Sequence, residues 1–124
     1  MQIHQIFITT LLLLVGQTTS LLKEMNPSTL QNTNGKLLLM YYAPWCPYCK
    51  AMTPKLQEVA AEYSNRVMIG RLNCIKYTNL CDKIMYYPTL TWYNNGINSS
   101  SEDIEAYTHD DIVNYIESKL SSLT

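Results

Sequence analysis

The sequence predicts a single α/β domain in which a central mixed β-sheet is flanked by helices on both faces. Three features carry that expectation: apolar runs of strand length, helical periodicity between and after them, and an Asn-Gly turn that folds a late strand back on itself. Lys36 to Tyr42, bounded by Asn34-Gly35 and Ala43-Pro44, reads as a buried strand. Cys49 to Tyr63 then places Met52, Leu56, Val59, Ala60 and Tyr63 on one side of a helix and Lys55, Glu58 and Glu62 on the other. Pro54 is expected to kink it. Val67 to Leu72 reads as a second strand, Tyr77 to Met85 as a short helix, and Thr89 to Tyr93 as a third strand entering Asn94-Asn95-Gly96. The fourth strand is expected at Ile104 to Tyr107. Thr108 then caps a closing helix, with Asp111 as the acidic half of a capping box and Ile112, Ile116 and Leu120 along one stripe.

With 124 residues, 47% of them hydrophobic and 15% charged, the chain has room for one domain with a true core, which excludes a disordered tail. A formal charge of -1 leaves no basic excess for phosphates, so nucleic acid is not an expected partner. Residues 1–20 read as a signal peptide, with an apolar run from Ile6 to Val15 followed by Gly16-Gln17-Thr18-Thr19-Ser20, and residues 21–124 as the domain. The positive charge usual before such a run is missing, since His4 stands there without Lys or Arg. A membrane span takes about 20 apolar residues, about twice this run, so no permanent membrane anchor is expected. The C-terminal Ser-Ser-Leu-Thr is not a retention signal, and Ser118-Lys119-Leu120 is internal. The expected location is the secretory pathway, either the endoplasmic reticulum lumen or outside the cell.

Chemistry concentrates in Trp45-Cys46-Pro47-Tyr48-Cys49-Lys50, at the junction of the first strong strand and the first strong helix. With Cys46 as N-cap, Pro47 falls at the first helical position, where its missing N–H costs nothing, and the N–H groups of Tyr48 and Cys49 face the Cys46 sulfur. Such donors and the positive helix end stabilise a thiolate, which makes Cys46 the expected nucleophile. Cys49, one turn further in, is then the resolving thiol that releases a partner from a mixed disulfide. Read alone, the Cys-x-x-Cys also fits a structural disulfide or half of a zinc site with Cys74 and Cys81, although the gap between those two is wide for a zinc knuckle.

Tyr42-Ala43-Pro44-Trp45-Cys46, Cys49-Lys50, Pro54 and Tyr87-Pro88-Thr89-Leu90 before an Asn-Gly turn resemble a catalytic domain of the protein disulfide isomerase family, thioredoxin superfamily, over roughly residues 22 to 120. The resemblance implies a thioredoxin fold and a redox-active Cys46-Cys49 pair with no metal or organic cofactor. It further implies that Pro88 is a cis-proline lying against the pair, that Trp45, Tyr87 and Pro88 contact substrate, and that Pro47, Tyr48 and Lys50 support the site. Cys74 and Cys81 resemble the extra bridged pair of some endoplasmic-reticulum members. Asn98-Ser99-Ser100 is a glycosylation sequon, whereas Asn26-Pro27-Ser28 is excluded by its proline.

Four departures from the family pattern stand out. Pro47-Tyr48 replaces the usual Gly-His and matches glutaredoxins instead. Met40 stands where the family buries an Asp or Glu that takes the proton of the second cysteine. The Val-Arg-Gly before the Tyr-Pro is reduced to Ile84-Met85-Tyr86, and the Gly-x-Arg near Thr108 is missing; His109 lies there and could serve, but reads first as a solvated histidine at a helix start. The expected activity is thiol-disulfide exchange that forms, reduces or isomerises disulfides in cysteine-containing client proteins, with glutathione or an upstream oxidase as redox partner. Two other readings stay open: a glutaredoxin-like glutathione-dependent enzyme, and a slow-turnover chaperone or binding module on the same fold.

Overall fold

The computed structural model describes residues 21–122. The expected signal peptide at 1–20 lies outside them. A five-stranded sheet runs in the order β1-β3-β2-β4-β5, formed by β1 (Lys23–Glu24), β2 (Leu37–Tyr42), β3 (Met68–Asn73), β4 (Thr89–Tyr93) and β5 (Ser101–Ile104). β3 is parallel to both β1 and β2, whereas β4 is antiparallel to both β2 and β5. The sheet is therefore mixed, as the sequence predicts.

β2 is buried at every residue because both of its faces are covered. Leu38, Met40 and Tyr42 pack toward α2 (Pro47–Tyr63) and α3 (His109–Ser121), joining Leu56, Val59, Trp92, Ile112 and Ile116. Leu37, Leu39 and Tyr41 pack on the opposite face with Leu30 of α1 (Pro27–Asn32) and with Cys74 and Cys81. The period-two alternation of a strand thus sorts one apolar run into two cores. Gly96, at φ +74°, closes the β4–β5 turn against the connection before β2, where its N–H donates to the Gly35 carbonyl at 2.8 Å. A Cβ there would stand 2.5 Å from the Thr33 carbonyl oxygen, so the position requires glycine.

Several boundaries differ from expectation. The first long helix begins at Pro47 rather than Cys49 and runs unbroken past Pro54 to Tyr63. Tyr77 to Met85 is not an α-helix but a single 3-10 turn, Thr78–Leu80. The Cys74–Cys81 bridge holds its two Cα atoms 5.7 Å apart, closing the segment into a loop too tight for regular helix. The fourth strand is Ser101–Ile104 rather than Ile104 to Tyr107: it is a polar edge strand, largely exposed, whose pattern an apolar search passes over. Thr108 does cap α3, accepting from the Asp111 N–H at 3.1 Å, without the return bond of a full capping box.

β1 and α1 go unanticipated. Two residues are too few to show a period, but α1 has a legible start: Asn26 accepts from the Thr29 N–H, Thr29 Oγ1 accepts from the Asn26 N–H, and Pro27 opens the helix.

Candidate active site

Cys46 leaves β2 through Ala43-Pro44 and caps α2 in an extended conformation, φ -80° and ψ 117°. Its sulfur accepts a hydrogen bond from the Cys49 N–H at 3.2 Å. The second expected donor, the Tyr48 N–H, makes no such bond. On its other side the Cys46 thiol donates to the Tyr87 carbonyl at 3.7 Å, and the Tyr87–Pro88 peptide is cis. Trp45 meets the Tyr87 ring edge-on, with centroids 6.1 Å apart. The structure therefore gathers Trp45, Cys46, Cys49, Tyr87 and Pro88 at one end of the sheet, from segments far apart in sequence.

The two thiols differ less in exposure than their roles suggest, at 4% for Cys46 and 2% for Cys49. What separates them is electrostatic environment. Burial, followed by the adjoining Cys46 sulfur, pushes the Cys49 thiol up to about 12, so it holds its proton at neutral pH. Cys46 sits at the helix N-terminus, with the Cys49 amide hydrogen bond on one side of its sulfur and the Tyr87 carbonyl on the other.

Two grooves flank the pair. One, of about 290 Å³, is lined by Tyr48, Tyr86, Tyr87, Pro88 and Tyr107 with the stem of Lys55. Tyr48, Tyr86 and Tyr107 are all more than half exposed, so the groove is walled by aromatic rings with little else to bury them. The other, of about 430 Å³, reaches Cys49 from the β3 side and is lined by Tyr42, Lys50, Thr53, Arg71 and Asn73.

Met40 is fully buried in the core cluster that holds both cysteines. His109 is not near them. Its Nε2 lies 2.7 Å from a Glu62 carboxylate oxygen and its Nδ1 3.0 Å from Asp110. Glu62 is about 20 Å along α2 from Cys49 at the helical rise. His109 is the helix-start surface histidine that the sequence favours, paired with Glu62 and Asp110, and does not stand in for the missing arginine.

Cys74 and Cys81 are joined by a disulfide on the far face of the sheet, so they supply no thiolates to a zinc site at Cys46 and Cys49. Among the described residues no cluster of three or more His, Cys, Asp or Glu could hold a metal ion, and no helix is long and apolar enough to cross a membrane. Asn98 is exposed in the β4–β5 loop.

Sequence reasoning missed the cluster beside the second groove in which Glu24 accepts from both Tyr42 and Arg71. Strand register brings them together, and no spacing along the chain announces it.

A family model described as thioredoxin matches residues 17–118. Over 97 residues the chain is 33% identical to protein disulfide isomerase-like 2-2 of Oryza sativa subsp. japonica, an alignment covering 74% of this chain and 26% of that protein. It is 38% identical over 66 residues to the thioredoxin of Buchnera aphidicola subsp. Acyrthosiphon pisum (strain APS), covering 52% of this chain and 61% of that one. The chain thus spans less than two thirds of the length of these relatives. Among solved structures, the Trx4 domain of ERdj5 superposes with a TM-score of 0.74 at 22% identity, covering 84% of this chain and 99% of that domain. The matched segment takes in every strand, all of α2, and α3 up to Ser118, with the dithiol at the junction of β2 and α2, and the chain belongs to the thioredoxin family.

Proposed function

We propose that the chain is a thiol-disulfide oxidoreductase of the protein disulfide isomerase type, working on cysteine-containing client proteins of the secretory pathway. The observation that carries this reading is the asymmetry of the dithiol: Cys46 takes a backbone hydrogen bond at a helix start, while Cys49 behind it is held protonated. Cys46, as thiolate, attacks a client disulfide; one client sulfur leaves and Cys46 stays joined to the other. Cys49 then loses its proton and attacks Cys46, and the client departs reduced. Run backward, the same steps oxidise a client dithiol, and release before resolution allows isomerisation. The electrons reside in the dithiol, which needs no cofactor, and glutathione or an upstream oxidase resets it.

Client peptide docks along Tyr87 and Pro88, with Trp45 on one flank and the tyrosine-walled groove on the other. Pro47 sets the helix start, Tyr48 shapes the groove wall, and Lys50 adds positive charge beside Cys49. Residues 1–20 act as the signal peptide and 21–124 as the working domain, with the lumen of the endoplasmic reticulum or the exterior as destination. The Cys74–Cys81 bridge favours such an oxidising compartment, and Asn98 is the acceptor for a glycan there.

One observation favours a second reading, a chaperone module. Trp45, Tyr48, Met85, Tyr86 and Tyr107 leave large apolar surfaces exposed around the cysteines. Reduction of insulin disulfides and refolding of scrambled ribonuclease test the first reading. The double variant Cys46→Ser/Cys49→Ser should lose both activities. If that variant suppresses client aggregation as well as wild type and the wild type reduces nothing, the chaperone reading replaces it.

A further inference from the structure

Met40 leaves the resolving step without a carboxylate in the core, yet one stands further along the same cross-strand row. Glu24 of β1 pairs with Arg71 of β3, Arg71 with Met40 of β2, and Met40 with Leu90 of β4. Paired residues on neighbouring strands share a face, so Glu24 and Met40 both point to the side covered by α2.

Both carboxylate oxygens of Glu24 are engaged. One accepts from Arg71 Nε at 2.7 Å, the other from the Tyr42 hydroxyl at 2.6 Å. Arg71 lies over the Tyr42 ring, 4.6 Å from its centroid, and its Nη1 donates to Thr53 Oγ1 at 3.2 Å. Thr53 in turn donates to the Cys49 carbonyl at 3.0 Å. The cluster is therefore tied to the helical turn that carries Cys49. Tyr42, Thr53, Arg71 and Cys49 line one open groove of about 430 Å³, many times the roughly 30 Å³ that a water molecule occupies.

We propose that Glu24, acting through the Tyr42 hydroxyl and groove water, receives the proton of Cys49 during resolution, so that the proton leaves by the sheet edge instead of the core. The inference rests on the oxidoreductase reading above. The Cys49 thiol proton passes to a groove water, that water passes one of its protons to the Tyr42 oxygen, and the Tyr42 hydroxyl proton passes to the Glu24 carboxylate, so that water and tyrosine end neutral. The Cys49 thiolate then attacks Cys46; the Cys46–Cys49 bond forms as the Cys46–client bond breaks, and the client sulfur leaves with the electron pair and takes up a proton. The two cysteines are oxidised and the client disulfide is reduced. Glu24 touches neither sulfur and is a positioning residue. The charged or titratable groups in contact with it are Arg71 from β3 and Tyr42 from β2, and Lys50 from α2 lines the groove that Tyr42 and Arg71 share.

Stopped-flow reaction of the reduced chain with 5,5′-dithiobis(2-nitrobenzoate) separates the steps. Attack by Cys46 releases one thionitrobenzoate and leaves a mixed disulfide, and attack by Cys49 releases the second. Glu24→Gln and Tyr42→Phe should each slow the second release about tenfold at neutral pH and leave the first unchanged, a smaller loss than that of a base in direct contact. The deficit should close at strongly alkaline pH, where hydroxide takes the proton, and Glu24→Asp should restore part of the rate. Should Glu24→Gln misfold, Tyr42→Phe, which keeps the ring under Arg71, carries the same test. A second release as fast as wild type in both variants, or one slowed by the same factor at every pH, would overturn the relay and leave the oxidoreductase reading standing. A wild type that never gives the second release removes both.

Discussion

Cys46 and Cys49 sit under exposed aromatic rings at the start of α2, whereas Cys74 and Cys81 lie across the sheet, joined to each other over a short loop. Burial does not distinguish the pairs: the four residues are 4%, 2%, 2% and 7% exposed in chain order. Surroundings do. The first pair has an amide donor, a helix N-terminus and a neighbouring carbonyl, and Cys49 lines a groove of about 430 Å³. The second is packed among Leu37, Leu39, Tyr41 and Leu72 and closed as a disulfide, although another groove runs past its neighbours Leu80 and Asp82. The contrast teaches that hydrogen bonding to sulfur and pairing in a disulfide, more than depth, set the two pairs apart.

The sharpest way to break the contrast is to remove one thiol of the first pair. Cys46→Ser should abolish disulfide exchange, a loss of about a thousandfold or more expected for a missing nucleophile. Cys49→Ser should instead accumulate mixed disulfides with clients, visible as reducible high-mass bands on a non-reducing gel. If Cys46→Ser is the variant that traps clients, the roles are reversed.

Removing the second pair tests the other half. Cys74→Ala/Cys81→Ala should cost about 2.5 kcal/mol, the chain-entropy value for so short a loop, and lower the midpoint of denaturant unfolding. Exchange at Cys46 should be unaffected. An equal loss of activity in the folded variant would mean that the two faces are coupled.

Met40→Glu sharpens the comparison from inside the core. An ionisable group at this fully buried position should cost about 1 to 3 kcal/mol and remain protonated until its pKa is exceeded. It should nonetheless speed release from a trapped client, most clearly in a Glu24→Gln background, where it restores a missing acceptor. Stopped-flow release and unfolding on the same samples check both effects.

The smallest expected effect lies away from both pairs. Asp110 first and then Glu62 raise the pKa of His109. A raised histidine pKa means that the charged form is favoured by folding. Its contribution is therefore complete below the unfolded value of about 6.5 and fades as pH rises through the folded value. His109→Gln should be slightly less stable than wild type in mild acid and indistinguishable from it in alkali, as read from unfolding midpoints across pH.

The dithiol was legible because everything that defines it is local: a strand run, a proline at the helix start, two cysteines one turn apart. The two-sided burial of β2 was legible for the same reason. Ser101–Ile104 was not, because a polar edge strand has no apolar alternation to display. The failed helix at Tyr77 to Met85 shows a covalent constraint overriding periodicity. The cluster of Glu24, Tyr42 and Arg71 was not legible for a different reason: three strands distant in sequence must be placed in register before their side chains meet. The contact of the Cys46 thiol with the Tyr87 carbonyl is likewise tertiary, joining segments that lie 41 residues apart.

Equilibrating the chain across a series of glutathione redox buffers, followed by peptide mapping of alkylated cysteines, tests the central claim most directly. Cys46 and Cys49 should open together as the buffer becomes reducing, while Cys74 and Cys81 stay joined well beyond that point. Opening of both pairs at the same poise, or of Cys74 and Cys81 first, would contradict the division of the molecule into one reactive and one structural face.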